Sequence, residues 1–321
     1  MKLLIFKTRL PAFEPVDKSC RKWVSQYKYA VGVDKSIAKY VEYASKGRIR
    51  VDYKDPFEVN LAAYDKVFIG FEYWSIAHVL QDKGVRGLKA YKELLQSVPK
   101  SKMVLPYPFI RDAFDKCKMS KIMKKLDIKA APTVCVKLSK DMDVRRAFNL
   151  IKKQKWDRVF IKPIPGESTN DVFNPEVFEF TEFKRYVNSL LRKNIYEHMV
   201  CQRFMPSFAT DKHPEMRTFW TGSKYVTGVK TTSAGYYQGV IKRLPSEIRK
   251  NTQKIIRHFE TVYKFDFVSA RFDWGYDNGS YFFNEMELLP GFFNEEMDES
   301  ERKRCTWMLD KQIGDRIINL M

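Results

Sequence analysis

Acidic residues interrupt two apolar, strand-like segments near the C-terminus, and this constrains the fold more than any other feature of the chain. The segment 270–293 has the pattern of two strands joined by a turn at 277–279. Asp273 is on the first strand, and Glu285 and Glu287 are on the returning strand. Residues two apart on a strand face the same way. The pattern therefore predicts a β-hairpin with carboxylates inside an apolar sheet.

These carboxylates would repel one another unless a cation lay between them. Hard oxygen ligands near a nucleotide's phosphates suit Mg²⁺, so Asp273, Glu285 and Glu287 are the candidate metal ligands. A two-residue turn would direct Glu285 away from Asp273. A three-residue turn ending in a left-handed Gly279 places Asp273 opposite Phe283, with Glu285 one diagonal step away. The metal hypothesis thus requires the longer turn, and the alternative is a solvated hairpin without metal.

The bulk properties indicate a globular protein of several domains. At 321 residues the chain exceeds one typical core, so we expect two or three domains. It has no apolar run long enough for a membrane helix, and its N-terminus is interpreted as a strand rather than a signal peptide. The cysteines lack metal-ligand spacing, and the few histidines argue against zinc. We therefore predict a cytoplasmic protein with reduced thiols at Cys20, Cys117, Cys135, Cys201 and Cys305.

The formal charge of +19 predicts anionic partners. A phosphorylated or polycarboxylate substrate, an acidic peptide and nucleic acid all fit, the last on charge alone. The lysines are spread along the chain, which general solubility would also explain. The oligomeric state is left open.

Alternating strand and helix patterns predict an N-terminal parallel α/β domain over 1–108. They include helices at 75–82 and 85–95 and a strand at 103–107. No glycine-rich dinucleotide fingerprint follows the first strand.

The rest of the chain is divided into a central lobe at 109–199 and a C-terminal lobe at 200–321. The central lobe begins with a predicted helix at 109–126. The C-terminal lobe is predicted to be rich in antiparallel strands, so the fold class is α/β with α+β character.

Lys162 lies at the end of an apolar strand, beside the small polar loop 166–171. A lysine there either reaches solvent along its aliphatic stem or meets an anion. Next to such a loop the natural anion is phosphate, and the loop is predicted to act as a lid that orders when nucleotide binds.

A second hairpin, turning at 222–223, gathers cationic residues. With a two-residue turn, Arg217 lies opposite Gly228, Lys230 follows on the same face, and Glu215 lies opposite Lys230. Arg217 and Lys230 are then placed to hold a transferring phosphate. A surface salt bridge, worth roughly 0.2–1 kcal/mol, is the alternative.

Arg271 shares a face with Asp273 by alternation. It either binds a substrate anion bidentately or offsets the acidic cluster.

Over about residues 100–293, the order of several motifs resembles that of the ATP-grasp superfamily. These motifs are Asp115-Lys116, Ala131-Pro-Thr133, Phe160-Ile-Lys-Pro163, Val200-Cys-Gln-Arg-Phe204, Glu215-Met-Arg-Thr-Phe219 with Lys230, Arg271-Phe-Asp273, and Asn284-Glu-Met-Glu-Leu-Leu-Pro-Gly291.

The resemblance implies ATP held between two lobes, with Lys116 and Lys162 on its phosphates and 202–204 reading adenine, partly through backbone groups. The residues assigned to ATP are Lys116, Lys162, Gln202, Arg203, Phe204 and Glu215. It also implies Mg²⁺ on Asp273 and Glu285, and a third ligand that is usually asparagine is here Glu287.

The implied function is an ATP- and Mg²⁺-dependent carboxylate–amine ligase that acts through an acyl phosphate. Arg271, Arg217 and Lys230 are the candidate catalytic residues, with Arg271 as the oxyanion donor. The alternatives are a small-molecule kinase of the same fold acting on a polyanion such as an inositol phosphate, and an ATP-binding protein without turnover.

Overall fold

A computed structural model describes most of the chain. The described residues are 1–6, 33–54, 56–69, 84–164, 171–232, 236–288 and 297–321. The predicted helix at 75–82 and most of the predicted lid at 166–171 lie outside them.

The N-terminal strand β1 (Lys2–Phe6) is the middle strand of a parallel sheet. It pairs with β2 (Arg50–Lys54) on one side and β3 (Lys66–Phe68) on the other. Its run of buried apolar side chains is typical of a parallel strand covered on both faces. Helices α1 (Val33–Ala44) and α2 (Gly84–Ser97) belong to the same part of the chain, which confirms the predicted α/β character.

The strand predicted at 103–107 is wrong. Met103 forms only an isolated bridge with Val67, and the chain then enters helix α3 (Tyr107–Phe114) with Pro106 at its N-cap. Proline at 106 and 108 fixes φ near the helical value at the start of that helix.

The single helix predicted at 109–126 is two helices. After α3 the chain breaks at Asp115, and α4 (Lys116–Lys125) begins. The Asp115 carboxylate accepts from the N–H groups of Cys117 and Lys118 at 2.9 and 3.0 Å. This N-cap starts a second helix and makes Lys116 its first residue.

The second sheet is antiparallel and has the strand order β4-β6-β5. Its own apolar core lies between the sheet and two helices. The boundary predicted at 199/200 falls inside the middle strand β6, while the division into domains stays a prediction. The elements are β4 (Thr133–Lys137), α5 (Val144–Lys152), β5 (Val159–Ile164), α6 (Phe180–Lys193) and β6 (His198–Arg203).

The third sheet has five antiparallel strands in the order β11-β10-β7-β8-β9. It shares one large core with α3, α4 and the N-terminal sheet. Its elements are β7 (Glu215–Thr221), β8 (Lys224–Thr231), β9 (Tyr237–Val240), α7 (Ser246–Tyr263), β10 (Ser269–Asp277), β11 (Ser280–Glu287) and α8 (Glu299–Leu320).

Helix α8 joins the N-terminal unit to the third sheet, because it packs on α1 as well as on β7 and β8. Tyr40 of α1 donates a hydrogen bond to Asp315 at 2.7 Å. A Cβ built on Gly314 would lie 2.3 Å from Cδ1 of Tyr40, so the close approach of the two helices requires glycine there. Among the described residues, no helix is both long and apolar enough to cross a bilayer.

The prediction of reduced thiols is wrong for one pair of cysteines. Cys117 of α4 and Cys135 of β4 form a disulfide with their Cα atoms 5.9 Å apart. The tertiary packing of α4 on β4 brings them together, which sequence spacing does not reveal. Cys201 and Cys305 are buried free thiols, and Cys20 lies outside the described residues.

Candidate functional site

The acidic hairpin turns more tightly than the metal hypothesis required. Asp277 pairs with Ser280, so Asn278 and Gly279 form a two-residue turn. Their φ values of 49° and 82° suit a turn that needs left-handed residues at both positions. The three-residue turn predicted from the sequence is therefore wrong.

A β-bulge nevertheless brings the carboxylates together. Trp274 lies opposite Phe283, whereas Asp273 lies opposite Glu285, so Asn284 is an extra residue on β11. The inserted residue reverses the alternation and turns Glu285 to the face of Asp273. The pairing predicted between Asp273 and Phe283 is wrong, although the shared face it was meant to explain is present.

Asp273, Glu285 and Glu287 each offer a carboxylate oxygen within 4.8 Å of the others. Asp273 is fully buried. Burial raises the pKa of Glu287 to about 7, with Arg271 opposing the shift and Glu285 adding to it. Three carboxylates this close need compensating cations, and the structure supplies cations from three directions.

Arg271 is the first of these cations. It donates from Nε and Nη2 to the two oxygens of Asp273, at 2.8 Å each. Its Nη2 also lies 2.6 Å from Glu287 Oε2. Burial alone would lower the pKa of Arg271, but Asp273 and Glu287 raise it well above its usual value. The guanidinium is therefore a fixed positive charge against the cluster.

Two lysines from different elements supply the other charges. Lys116, the first residue of α4, donates from Nζ to Glu285 Oε2 at 2.7 Å, and Lys162 Nζ of β5 lies 4.0 Å from the same oxygen. Burial would raise the pKa of Glu285, but these two lysines hold it well below its usual range. Burial lowers the pKa of Lys162, and Glu285 opposes that shift. Lys162 thus meets an anion and does not simply extend to solvent.

Glu215 holds part of this face in place. Its carboxylate accepts from Arg217 Nε at 2.8 Å, from Asn284 Nδ2 at 3.1 Å and from Thr231 Oγ1 at 3.3 Å. Burial and then Asp273 raise the pKa of Glu215. Sequence reasoning missed Thr231 and the role of Asn284. The signal in the sequence for Asn284 was an amide side chain inside an apolar strand, directly before Glu285.

The register of the second hairpin differs from the prediction. Thr221 does pair with Lys224, but a bulge follows, and Arg217 then lies opposite Val229. Lys230 lies opposite Met216, which alternation puts on the face opposite Arg217. The inserted residue is Val226, and it shifts the rest of β8 by one position.

Glu215 accordingly lies opposite Thr231, so its predicted pairing with Lys230 is wrong. Of the expected cationic group, Arg217 and Arg271 share a face with the carboxylates, because Asp273 pairs with Arg217 on β7 and Arg271 lies two residues from it.

Gln202, from the segment 202–204, lies on the same face of the second sheet as Lys162. Gln202 lies opposite both Phe160 and Thr133, and Lys162 is two residues from Phe160, so all four share one face of the second sheet. Gln202 Nε2 donates to Thr133 Oγ1 at 3.3 Å. This face carries Lys162 toward Glu285 of the third sheet.

The backbone of this segment is partly used within the chain. The N–H groups of Arg203 and Phe204 donate to the carbonyls of Pro132 and Arg158 at 3.0 and 2.9 Å. The ring of Phe204 lies 4.6 Å from the guanidinium carbon of Arg158. Any backbone reading of a base by 203–204 would therefore use carbonyl oxygens.

No family model and no curated protein matches the sequence. Solved structures do match the fold over nearly the whole chain. One is the D-cycloserine synthetase DcsG, with a TM-score of 0.64 and 15% identity over 98% of this chain and 100% of that one.

Two further solved structures have the same architecture. A D-alanine–D-alanine ligase from Bacillus anthracis complexed with ATP matches with a TM-score of 0.58 and 15% identity, over 99% of this chain and 96% of that one. A RimK domain ATP-grasp protein from Sphaerobacter thermophilus matches with a TM-score of 0.62 and 12% identity, over 98% of each chain. The chain thus has the ATP-grasp fold, as the order of its motifs predicted.

Proposed function

We propose that this chain is an ATP- and Mg²⁺-dependent ligase that joins a carboxylate to an amine through an acyl phosphate. The convergence of Lys116 and Lys162 on Glu285 carries the proposal. Cations from α4 and the second sheet meet carboxylates from the third sheet, and this suits a metal-bound polyphosphate held between lobes. The ATP-bound ligase of the same fold supports this use of the site.

The donor set fits a hard divalent cation. Asp273, Glu285 and Glu287 offer carboxylate oxygens within 4.8 Å of one another, and Mg²⁺ takes oxygen ligands. These three residues would hold the ion. When bound, it would neutralise charge between the carboxylates and the phosphate oxygens.

Lys116 and Lys162 would exchange part of their contact with Glu285 for phosphate oxygens. Both are attached to ordered elements, the first turn of α4 and the strand β5, so little reorganisation is needed. Gln202, Arg203 and Phe204 would adjoin the base, with Glu215 holding Arg217 beside the phosphates.

Arg271 is the proposed donor to the oxyanion that forms when the amine attacks. Its Nε and Nη2 atoms are engaged by Asp273 and Glu287. Its Nη1 makes no hydrogen bond to the described residues, so it remains the donor that would face the substrate. Arg217 is retained as a phosphate-binding residue. Lys230 is not retained, because the register places it on the other face.

The test is the fate of a labelled carboxylate oxygen. Purified protein is incubated with ATP, MgCl₂ and pools of amine acceptors together with ¹⁸O-carboxylate donors. The donors include D-amino acids and acidic peptides, because one neighbour of this fold is a D-alanine–D-alanine ligase and another was solved with a leader and core peptide. An acyl-phosphate ligase transfers one ¹⁸O atom to inorganic phosphate and forms an amide.

The other functions give different products. A kinase leaves phosphate on a hydroxyl of a polyanion such as an inositol phosphate, without release of inorganic phosphate. Tight ATP binding without ADP formation in any pool would indicate a binding protein. Either outcome would overturn the ligase proposal.

A further inference from the structure

The disulfide between Cys117 and Cys135 links two elements that both serve the candidate site. It joins α4 to β4 across 18 residues of sequence, with the Cα atoms 5.9 Å apart. A covalent bond at this point fixes the position of the second sheet relative to α4.

The bond lies next to both lysines. Cys117 directly follows Lys116 in α4. Cys135 lies opposite Val200, and Val200 lies opposite Lys162, so the three residues form one row across the second sheet. Both cysteines pack with Val200 in one small apolar cluster. The disulfide therefore ties Lys116 to the strand neighbours of Lys162.

The surroundings of the cysteines favour Cys117 and Cys135 as the pair that undergoes thiol–disulfide exchange. Cys135 is only half-buried, whereas its disulfide partner Cys117 is buried. Cys201, on the adjacent strand, is fully buried. Burial raises the pKa of Cys201 well above its usual value, and a thiol without thiolate character exchanges poorly.

We propose that Cys117 and Cys135 form a thiol–disulfide switch that sets the affinity for ATP by fixing Lys116 against Lys162. The inference rests on the proposed function, because its effect is exerted on the two phosphate-binding lysines. In the oxidised form both lysines are held at Glu285, so ATP meets a preorganised site. In the reduced form the second sheet is free to shift on α4, and binding must restore the arrangement.

The redox step is ordinary thiol–disulfide exchange. On reduction the two sulfur atoms take up two electrons and two protons from a dithiol, whose own thiols become a disulfide. Oxidised glutathione reverses the reaction and leaves as two glutathione thiols. Mass spectrometry of the intact chain distinguishes the two forms.

The experiment measures the Kd for ATP by calorimetry after treatment with oxidised glutathione or with dithiothreitol. We expect the reduced protein to bind at least threefold more weakly. The Cys117→Ser/Cys135→Ser double variant should bind weakly after either treatment. Cys305→Ser, which removes a buried thiol near Thr227 on β8, should keep the redox response. Equal affinity of the two wild-type forms would overturn the switch.

A second readout separates failure of the switch from failure of the proposed function. Amide exchange, measured without nucleotide, should become faster on reduction in β5 but not in β10 of the third sheet, in wild-type protein and Cys305→Ser but not in the double variant. If neither form binds ATP, the proposed function fails and the effect on ATP affinity fails with it, whereas ATP binding of equal strength in both forms overturns the switch alone. Equal exchange in both forms would refute it. The unfolding temperature is not used, because any disulfide stabilises the fold by constraining the unfolded chain.

Discussion

Lys116 Nζ donates a hydrogen bond of 2.7 Å to Glu285 Oε2, and the two residues are 169 positions apart in the sequence. The contact joins the first residue of α4 to strand β11 of the acidic hairpin. It fixes the distance between a proposed phosphate-binding cation and a proposed metal ligand. Several expected outcomes depend on it.

Replacing Glu285 with glutamine should reduce ATP turnover by about a hundredfold or more, because the variant removes the charge that Lys116 and Lys162 share. ADP release under saturating MgCl₂ is the measurement. Glu93→Gln is the matched control, since Glu93 is exposed on α2 and its ion pair among the described residues is with Lys89 of the same helix. Equal turnover in both variants would contradict the assignment.

Replacing Lys162 with methionine should weaken ATP binding by about tenfold or more and leave the fold intact. The variant removes a partly buried charge whose pKa burial lowers, and Glu285 keeps its hydrogen bond from Lys116, so the fold should be retained. Calorimetry and the unfolding temperature check the two parts separately. Lys121→Met, at an exposed position of α4, should bind ATP as the wild type does. Unchanged affinity in Lys162→Met would exclude a phosphate contact.

The bulge residue Asn284 should act as a positioning residue. Asn284→Ala removes the hydrogen bond to Glu215 and should cost about 1 kcal/mol of unfolding free energy. ATP turnover should also fall, by more than this loss of stability explains, because the bulge determines the face of the sheet on which Glu285 lies. Asn278→Gly in the hairpin turn, where φ is already 49°, should leave turnover unchanged. A loss of stability with full turnover would show that the bulge forms without the amide.

Gly314→Ala should separate α8 from α1, since the new methyl group would lie 2.3 Å from a ring carbon of Tyr40. Such overpacking typically costs about 1–3 kcal/mol. Denaturant unfolding measures the loss. A double variant that also carries Tyr40→Ala should lose less than the sum of the two single changes. Strict additivity would mean that the helices adjust without strain.

The sequence predicted the acidic hairpin and the anion at Lys162 from residue type and local pattern, whereas the order of the parts and Lys116 came from the resemblance to ATP-grasp proteins. It failed where one residue shifts a register. The extra residues Asn284 and Val226 each reverse the alternation that follows them. One bulge restored the grouping of Asp273 with Glu285 despite a turn that was wrongly predicted, and the other removed Lys230 from the face of Arg217.

The disulfide and the break at Asp115 were missed for a different reason. A cap or a cysteine pair is selected by tertiary contact, and helical periodicity continues through 109–126 without showing where the first helix ends. Similarly, 18 residues between two cysteines say little about the distance between them in the fold.

The exposed lysines of helix α4 should attract an anionic acceptor substrate toward the site. The helix begins at the site with Lys116 and carries exposed lysines at 121, 124 and 125. Burial and then Lys125 lower the pKa of His258 on helix α7, so Lys125 lies close enough to act on that helix. An acidic acceptor steered by this surface should show a KM that rises with salt, because the screening length falls from about 10 Å at 0.1 M to about 3 Å at 1 M.

The double change Lys121→Glu/Lys125→Glu should raise that KM several-fold while kcat is kept, since rim charges act mainly on encounter. Lys153→Glu is the control, because Lys153 follows α5, which packs on the face of the second sheet away from Lys162. If both variants and added salt leave the KM unchanged, the surplus positive charge of the chain has no role in acceptor binding. The acceptor would then be recognised by contacts within the site alone.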